Sequence, residues 1–243
     1  MLIFIGLGLG DEQDLTLYAL ETLKKCDFIY LENYTSLIGF KVEVLEKLLS
    51  KKIKLADREL VESSNEIITH AQNHRVAFLI KGDVFSATTH IDLFLRAKKE
   101  DIKCKIIHNA SILTAVGDTG LSLYKFGKVA SLPFNFTDIR TPLDIYIINK
   151  NNNMHTLFLL DLDPQEGKYM DFKMAFDYLL NKGNLPLTTL AVVCAGLGTS
   201  DEVIKYGTIK DLLSLEIHVY PQCIILPSEL HFMEEEFIVL HQL

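Results

Sequence analysis

The sequence predicts an α/β protein, and three observations carry that prediction. Short apolar runs rich in Ile, Val and Phe alternate with longer amphipathic stretches from one end of the chain to the other. Runs such as 76–80 are apolar at every position, as expected of parallel strands covered on both faces. Glycines gather where several of these runs end, at Gly6, Gly8, Gly10, Gly82, Gly196 and Gly198, as strand-to-loop turns require.

In the first half the pattern predicts a strand over 2–9, a helix from about 14 to 25 and a strand over 28–32. Leu17, Leu20 and Leu23 line one face of that helix, with Asp14 or Thr16 as its cap. A helix over 42–49, a strand over 53–55, a helix over 65–74 and the strand 76–80 follow. A turn at Gly82, a helix over 89–99 and a strand over 105–108 complete this half. The second half repeats the theme, with strands over 129–132, 156–162, 189–194 and 223–226 and helices such as 172–180 between them. No repeat is present, and apart from the polar 149–153 loop no segment is of low complexity. The boundary falls in 109–114, giving domains 1–110 and 111–243.

The 243 residues are 49% hydrophobic, enough for one large domain or two modest ones. Acidic residues outnumber basic ones, 32 to 24, and no Lys/Arg block is interleaved with aromatics, which argues against nucleic acid as a partner. The run 2–9 contains two glycines, lacks a basic leader and is followed at once by Asp11, Glu12 and Asp14. Neither a signal peptide nor a membrane span is expected. Cys26, Cys104, Cys194 and Cys223 form no CxxC pair and read as small buried hydrophobes in a reducing compartment, so the cytoplasm is the expected location.

Ligands of open α/β sheets settle beyond the carboxyl ends of strands. Five junctions therefore matter: 6–11, 82–86, 108–112, 160–161 and 195–199. The Gly6-Leu7-Gly8-Leu9-Gly10-Asp11 loop, with Glu32 ending the second strand, invites a dinucleotide reading. Asp11 stands where that fingerprint needs Gly or Ala, and would set a carboxylate against a pyrophosphate. Asp83 follows a buried strand and can bind a ribose hydroxyl or an ammonium, or simply cap the next helix. His70 and His74 have the spacing of a metal pair but no acidic residue between them, and read as a solvated helix end. Asp118-Thr119-Gly120 is a lone triplet without the second carboxylate that aspartic-protease chemistry needs. No metal is expected.

Ordered motifs extend these junctions. They are Phe4-Ile5-Gly6-Leu7-Gly8-Leu9, Tyr34-Thr35-Ser36, Gly82-Asp83 with Ala87-Thr88-Thr89-His90, His108-Asn109-Ala110-Ser111-Ile112 with Ala115-Val116-Gly117, Leu123-Tyr124-Lys125-Phe126-Gly127, the run 155–161, and Leu230-His231. Over essentially the whole chain they resemble the tetrapyrrole-methylase superfamily, and within it the diphthine-synthase branch. The resemblance implies two α/β domains forming a homodimer, with S-adenosylmethionine held in the cleft between the domains and released as S-adenosylhomocysteine. It implies cofactor contacts at Leu9, Asp83, Ser86, Ser111, Ile112, Leu160, Leu197 and Gln222, several through backbone groups. The implied substrate is the 3-amino-3-carboxypropyl histidine of translation elongation factor 2, methylated repeatedly. Details at 109–112 and 56–59 resemble the eukaryotic members, which implies a four-methyl product that includes a methyl ester.

Three positions depart from the branch. Val84 replaces its usual proline, Gln222 its frequent histidine, and the glycines around 195–199 are placed differently. Methyl transfer from a sulfonium is an in-line displacement that needs a neutral amine, close approach and exclusion of water. Neither Asp83 nor Asp161 is assigned as a general base, and no catalytic residue is named. The competing readings are a corrin or porphyrin methylase of the same superfamily, a nicotinamide oxidoreductase, and a cofactor-binding protein without transfer activity.

Overall fold

The computed structural model describes residues 1–86, 90–136 and 139–243. Thr88, most of the Ala87-Thr88-Thr89-His90 motif and the start expected for the 89–99 helix lie outside the described residues. Contacts divide the chain into two units, Met1–Leu113 and Thr114–Leu243.

Unit 1 runs β1 (Leu2–Gly6), α1 (Leu17–Leu23), β2 (Phe28–Glu32), α2 (Val42–Leu49), β3 (Lys54–Ala56), α3 (Glu66–Asn73), β4 (Val76–Ile80), α4 (Ile91–Lys99) and β5 (Cys104–Ile107). The five strands form one parallel sheet in the order β3-β2-β4-β1-β5. Strand alternation sorts the core into two faces. Leu2, Phe4, Val76, Phe78 and Ile80 pack under α3 and α4 through Ile67, Ala71, Leu93 and Ala97. Ile3, Ile5, Ala77 and Leu79 pack under α1 and α2 through Ala19, Leu23, Leu45 and Leu49. Each fully buried Leu, Ile or Phe is worth about 1.5–3 kcal/mol over its exposed state, so both faces help hold the unit.

The expected strand 2–9 stops at Gly6, because Gly8 turns to φ +79° and leaves the strand. The first helix starts later than expected, with Thr16 Oγ1 accepting the Ala19 N–H at 3.0 Å. Asp14 caps nothing; its Oδ2 accepts from Leu9 N and Gly10 N instead.

The short helix α5 (Ile112–Ala115) straddles the division. Unit 2 continues with β6 (Ala130–Leu132), α6 (Thr141–Asn151), β7 (Thr156–Leu160), β8 (Leu162–Asp163), β9 (Lys168–Tyr169), α7 (Phe172–Asn181), β10 (Leu190–Ala195), β11 (Val203–Thr208), α8 (Ile209–Leu212), β12 (Gln222–Leu226) and α9 (Phe232–Ile238). Its sheet has the order β11-β10-β12-β7-β6. Only β6 and β7 pair in parallel; the other three pairings are antiparallel. A largely parallel sheet is therefore correct for unit 1 and wrong for unit 2. The loop 196–202 is too short for a crossover, so β10 and β11 must pair as antiparallel neighbours. One face of this sheet carries Phe158, Val193 and Ile224 under α6 and α7, with Leu143, Phe172, Phe176 and Leu179 interdigitated.

Candidate functional site

The carboxyl ends of β1 and β4 meet where the connections diverge, since α1 leaves towards one face of the sheet and α4 towards the other. That is the crevice where open α/β sheets take ligands. Two glycines close it. Gly8 N donates to Gly82 O at 3.2 Å and Gly82 N to Gly8 O at 2.9 Å, both residues at positive φ. Gly6 is needed for a different reason, because a Cβ there would stand 2.6 Å from Gly82 O.

Asp83 binds the crevice to the neighbouring strand end. Its Oδ2 accepts from Asn109 N at 3.0 Å and His108 Nδ1 at 2.9 Å, and its Oδ1 accepts from Ser86 Oγ at 3.3 Å. Burial alone would raise this carboxyl, but the Asn109 N–H and His108 outweigh it and hold it below its ordinary value. Asp83 is thus an ionised cross-link. Asn109 adds a second brace, its Nδ2 donating to Gly6 O and Asp14 O at 3.0 Å each.

Of the positions expected to contact a ligand, Leu9, Asp83, Ser86 and Ser111 come together here. A Cβ on Gly82 would meet only Ala110 O at 3.8 Å and Leu9 Cδ2 and the Ser111 Cα at 4.0 Å, so these residues frame an open cradle. The Leu9 N–H is already taken by Asp14, so a ligand could use only its carbonyl or side chain. Ile112 follows as the half-buried first residue of α5.

The other three positions gather at one end of the unit 2 sheet. Leu160 ends β7, Gln222 opens β12 opposite Ala195 of β10, and Leu197 follows two residues later between Gly196 and Gly198, both at positive φ. Gln222 is buried and its side chain is committed. Oε1 accepts Phe172 N at 2.9 Å, while Nε2 donates to Ile217 O at 3.1 Å and Val219 O at 2.9 Å. Both Nε2 donors are spent, so a ligand could meet Gln222 only through its backbone or the second lone pair of Oε1. Asp161, beside Leu160, accepts from Phe134 N and Leu162 N and so closes its own turn.

Other candidates prove structural. Glu32 is buried and its Oε1 accepts from Tyr34 N and Thr35 N, so it shapes the turn after β2; burial raises its carboxyl despite those bonds. His70 is not a merely solvated helix end: it stacks on Phe28 with ring centroids 4.1 Å apart, and its Nδ1 meets Tyr30 Oη at 2.7 Å. Among the described residues no group of three or more His, Cys, Asp or Glu is placed to hold a metal, and no helix is long and apolar enough to cross a membrane.

Three features escaped sequence reasoning. Lys81 follows β4 and donates to Gly10 O in the loop after β1, and His90 is 1% exposed beside Tyr34 and Phe78, with neither ring nitrogen partnered among the described residues and its pKa pushed by burial to about 4. In unit 2, buried Glu234 accepts from Ser122 N at 2.9 Å, Lys125 Nζ at 2.6 Å and His231 N at 2.9 Å, and meets His155 Nε2 at 3.2 Å. This last network joins Lys125, His155 and His231 from three separate motifs.

The model of the tetrapyrrole (corrin/porphyrin) methylases matches residues 1–213. Among curated relatives, the chain is 39% identical to the diphthine methyl ester synthase of Dictyostelium discoideum, over 98% of this chain and 96% of that protein. It is also 39% identical to the diphthine synthase of Methanocella arvoryzae, over 97% and 96%. Its fold superposes on a crystal structure of diphthine synthase with a TM-score of 0.92, at 32% identity, covering 99% of this chain and 95% of that one.

Proposed function

The chain belongs to the tetrapyrrole (corrin/porphyrin) methylase family, and we propose that it is a diphthine synthase, an S-adenosylmethionine-dependent methyltransferase acting on the 3-amino-3-carboxypropyl histidine of translation elongation factor 2. The observation that carries this reading is the full-length similarity to diphthine synthases of both eukaryotes and archaea.

The crevice of unit 1 suits such a cofactor. Its cradle at Gly82 has no side chain to fill it, Asp14 takes the Leu9 N–H and not its carbonyl, and the Asp83 carboxylate keeps acceptor capacity for a hydroxyl or ammonium. When bound, S-adenosylmethionine supplies an electrophilic methyl group on a sulfonium and leaves as S-adenosylhomocysteine. We assign Leu9, Asp83, Ser86, Ser111 and Ile112 to cofactor contact in unit 1, and Leu160, Leu197 and the Gln222 backbone to ligand contact in unit 2. The chain's task is to position and to exclude water. An acceptor amine must arrive neutral, and apolar walls favour that form. Asp83, tied to three neighbours, is poorly placed to act as a mobile base.

A cytoplasmic setting and a homodimer complete the reading. Tyr124, Phe232 and Leu240 of unit 2 are exposed, Tyr124 by 86%, and would be covered by a second copy. The test is transfer of labelled methyl to elongation factor 2 carrying the unmethylated intermediate. Incorporation supports the assignment, and cofactor binding with no incorporation rules it out.

A further inference from the structure

Lys81 follows β4 and immediately precedes Gly82 and Asp83. The alternation of the strand puts it on the side of Ala77 and Leu79, facing the loop after β1 and the segment leading into α2. Its Nζ donates to Gly10 O at 2.6 Å, which is its single hydrogen-bond partner among the described residues. An ammonium has three donors, so two are unspent. The nearest acidic group in the loop, Asp14, is already occupied by Leu9 N and Gly10 N. Opposite lies Gly39, where a Cβ would collide with Gly10 O and stand 3.4 Å from Lys81 Nζ. No side chain at 39 shields the ammonium. Burial lowers the Lys81 pKa to about 8 against the pull of Asp14 and Asp11. A desolvated cation that lacks a bonded carboxylate lowers its free energy by receiving one.

We propose that Lys81 seats the carboxylate of an α-amino-acid group entering the unit 1 crevice. This inference rests on the proposed function, which offers two sources of that chemistry: the methionine end of the cofactor, and the aminocarboxypropyl arm of the acceptor.

The test uses the full chain, as parent, Lys81→Met and Lys81→Arg, with calorimetry and methyl-transfer kinetics. Two probes separate the carboxylate from the rest of the ligand: S-adenosylhomocysteine, which carries it, and methylthioadenosine, which keeps the nucleoside thioether and lacks the amino acid. If the cofactor is the source, Lys81→Met weakens S-adenosylhomocysteine about tenfold or more, leaves methylthioadenosine within about twofold, and Lys81→Arg restores most of the loss. If the acceptor is the source, both probes bind as in the parent, while KM for elongation factor 2 rises about tenfold with kcat nearly kept. Equal weakening of both probes would make Lys81 merely structural, and no change in either probe or in KM would also overturn the inference. Should Lys81→Met fail to fold, Lys81→Gln carries the same comparison. A parent chain that binds neither probe overturns the proposed function along with this inference, whereas a binding parent with no selective loss overturns this inference alone.

Discussion

Asp83 Oδ2 accepts the backbone N–H of Asn109 at 3.0 Å, so one carboxylate joins the loop after β4 to the loop after β5. The same residue assigned to the cofactor therefore also shapes the cradle. Asp83→Ala is expected to weaken S-adenosylhomocysteine at least tenfold. It is also expected to cost about 1–3 kcal/mol of stability, since Asn109 N loses its acceptor. Calorimetry paired with thermal unfolding checks both; unchanged affinity would remove Asp83 from the site.

Gly82 and Gly6 separate folding from binding. A methyl at Gly82 meets nothing nearer than 3.8 Å, so Gly82→Ala should fold with only the roughly 1–2 kcal/mol cost of positive φ. Because the methyl occupies the cradle, cofactor affinity should nonetheless collapse. Gly6→Ala meets backbone at 2.6 Å and should lower the melting temperature far more. Binding by Gly82→Ala at parental strength would place the cofactor elsewhere.

Gln222 holds three backbone groups, accepting from the buried Phe172 N and donating to the half-buried Ile217 O and Val219 O. Gln222→Leu should cost roughly 1–3 kcal/mol for the buried Phe172 N–H left without a partner, and less for the half-buried Ile217 and Val219 carbonyls. Gln222→His, with two ring nitrogens, can serve at most two of the three and should cost less than Gln222→Leu. Denaturant melts of the two variants give the order directly, and equal stabilities would contradict it.

Stability should fall as pH is lowered from 7 to 4. Burial would raise the Glu234 carboxyl, but the His231 N–H, the Lys125 ammonium and Ser122 hold it well below the usual range. Its contribution is thus present above about pH 4.5 and lost as pH falls towards the folded pKa. Burial lowers His155, partly offset by Glu234, and lowers His90 to about 4. A depressed imidazole likewise stabilises above its unfolded value of 6.5 and loses that contribution below it. Glu234→Gln, which leaves the half-buried Lys125 without its counter-charge, should cost about 1–3 kcal/mol at pH 7 and flatten the acid limb. A melting temperature constant from pH 7 to 4 would contradict this account.

The α/β class and the strands of unit 1 could be read from sequence because buried parallel strands are continuous apolar runs, and β2 and β4 begin and end where expected. Unit 2 was harder. In α6 the apolar residues ring the helix, with Leu143 and Ile145 buried but Ile147 and Ile148 exposed, so no single face announces it. β11 carries a Lys and a Gly among its six residues, and α9 has three consecutive glutamates. The crevice glycines could be found from their turn chemistry, and Asp83 from its place after a strand. The commitment of the Gln222 side chain and the spare donors of Lys81 depend on loops distant in sequence, and no local pattern encodes them.

Mass spectrometry of the modified peptide reads the proposed activity, after the chain is incubated with S-adenosylmethionine and elongation factor 2 bearing the unmethylated aminocarboxypropyl histidine. A diphthine synthase gives mass gains in whole methyl steps confined to that histidine, with their number reporting trimethylation or a further methyl ester. An unmodified peptide, under conditions where calorimetry shows the cofactor bound, would contradict it.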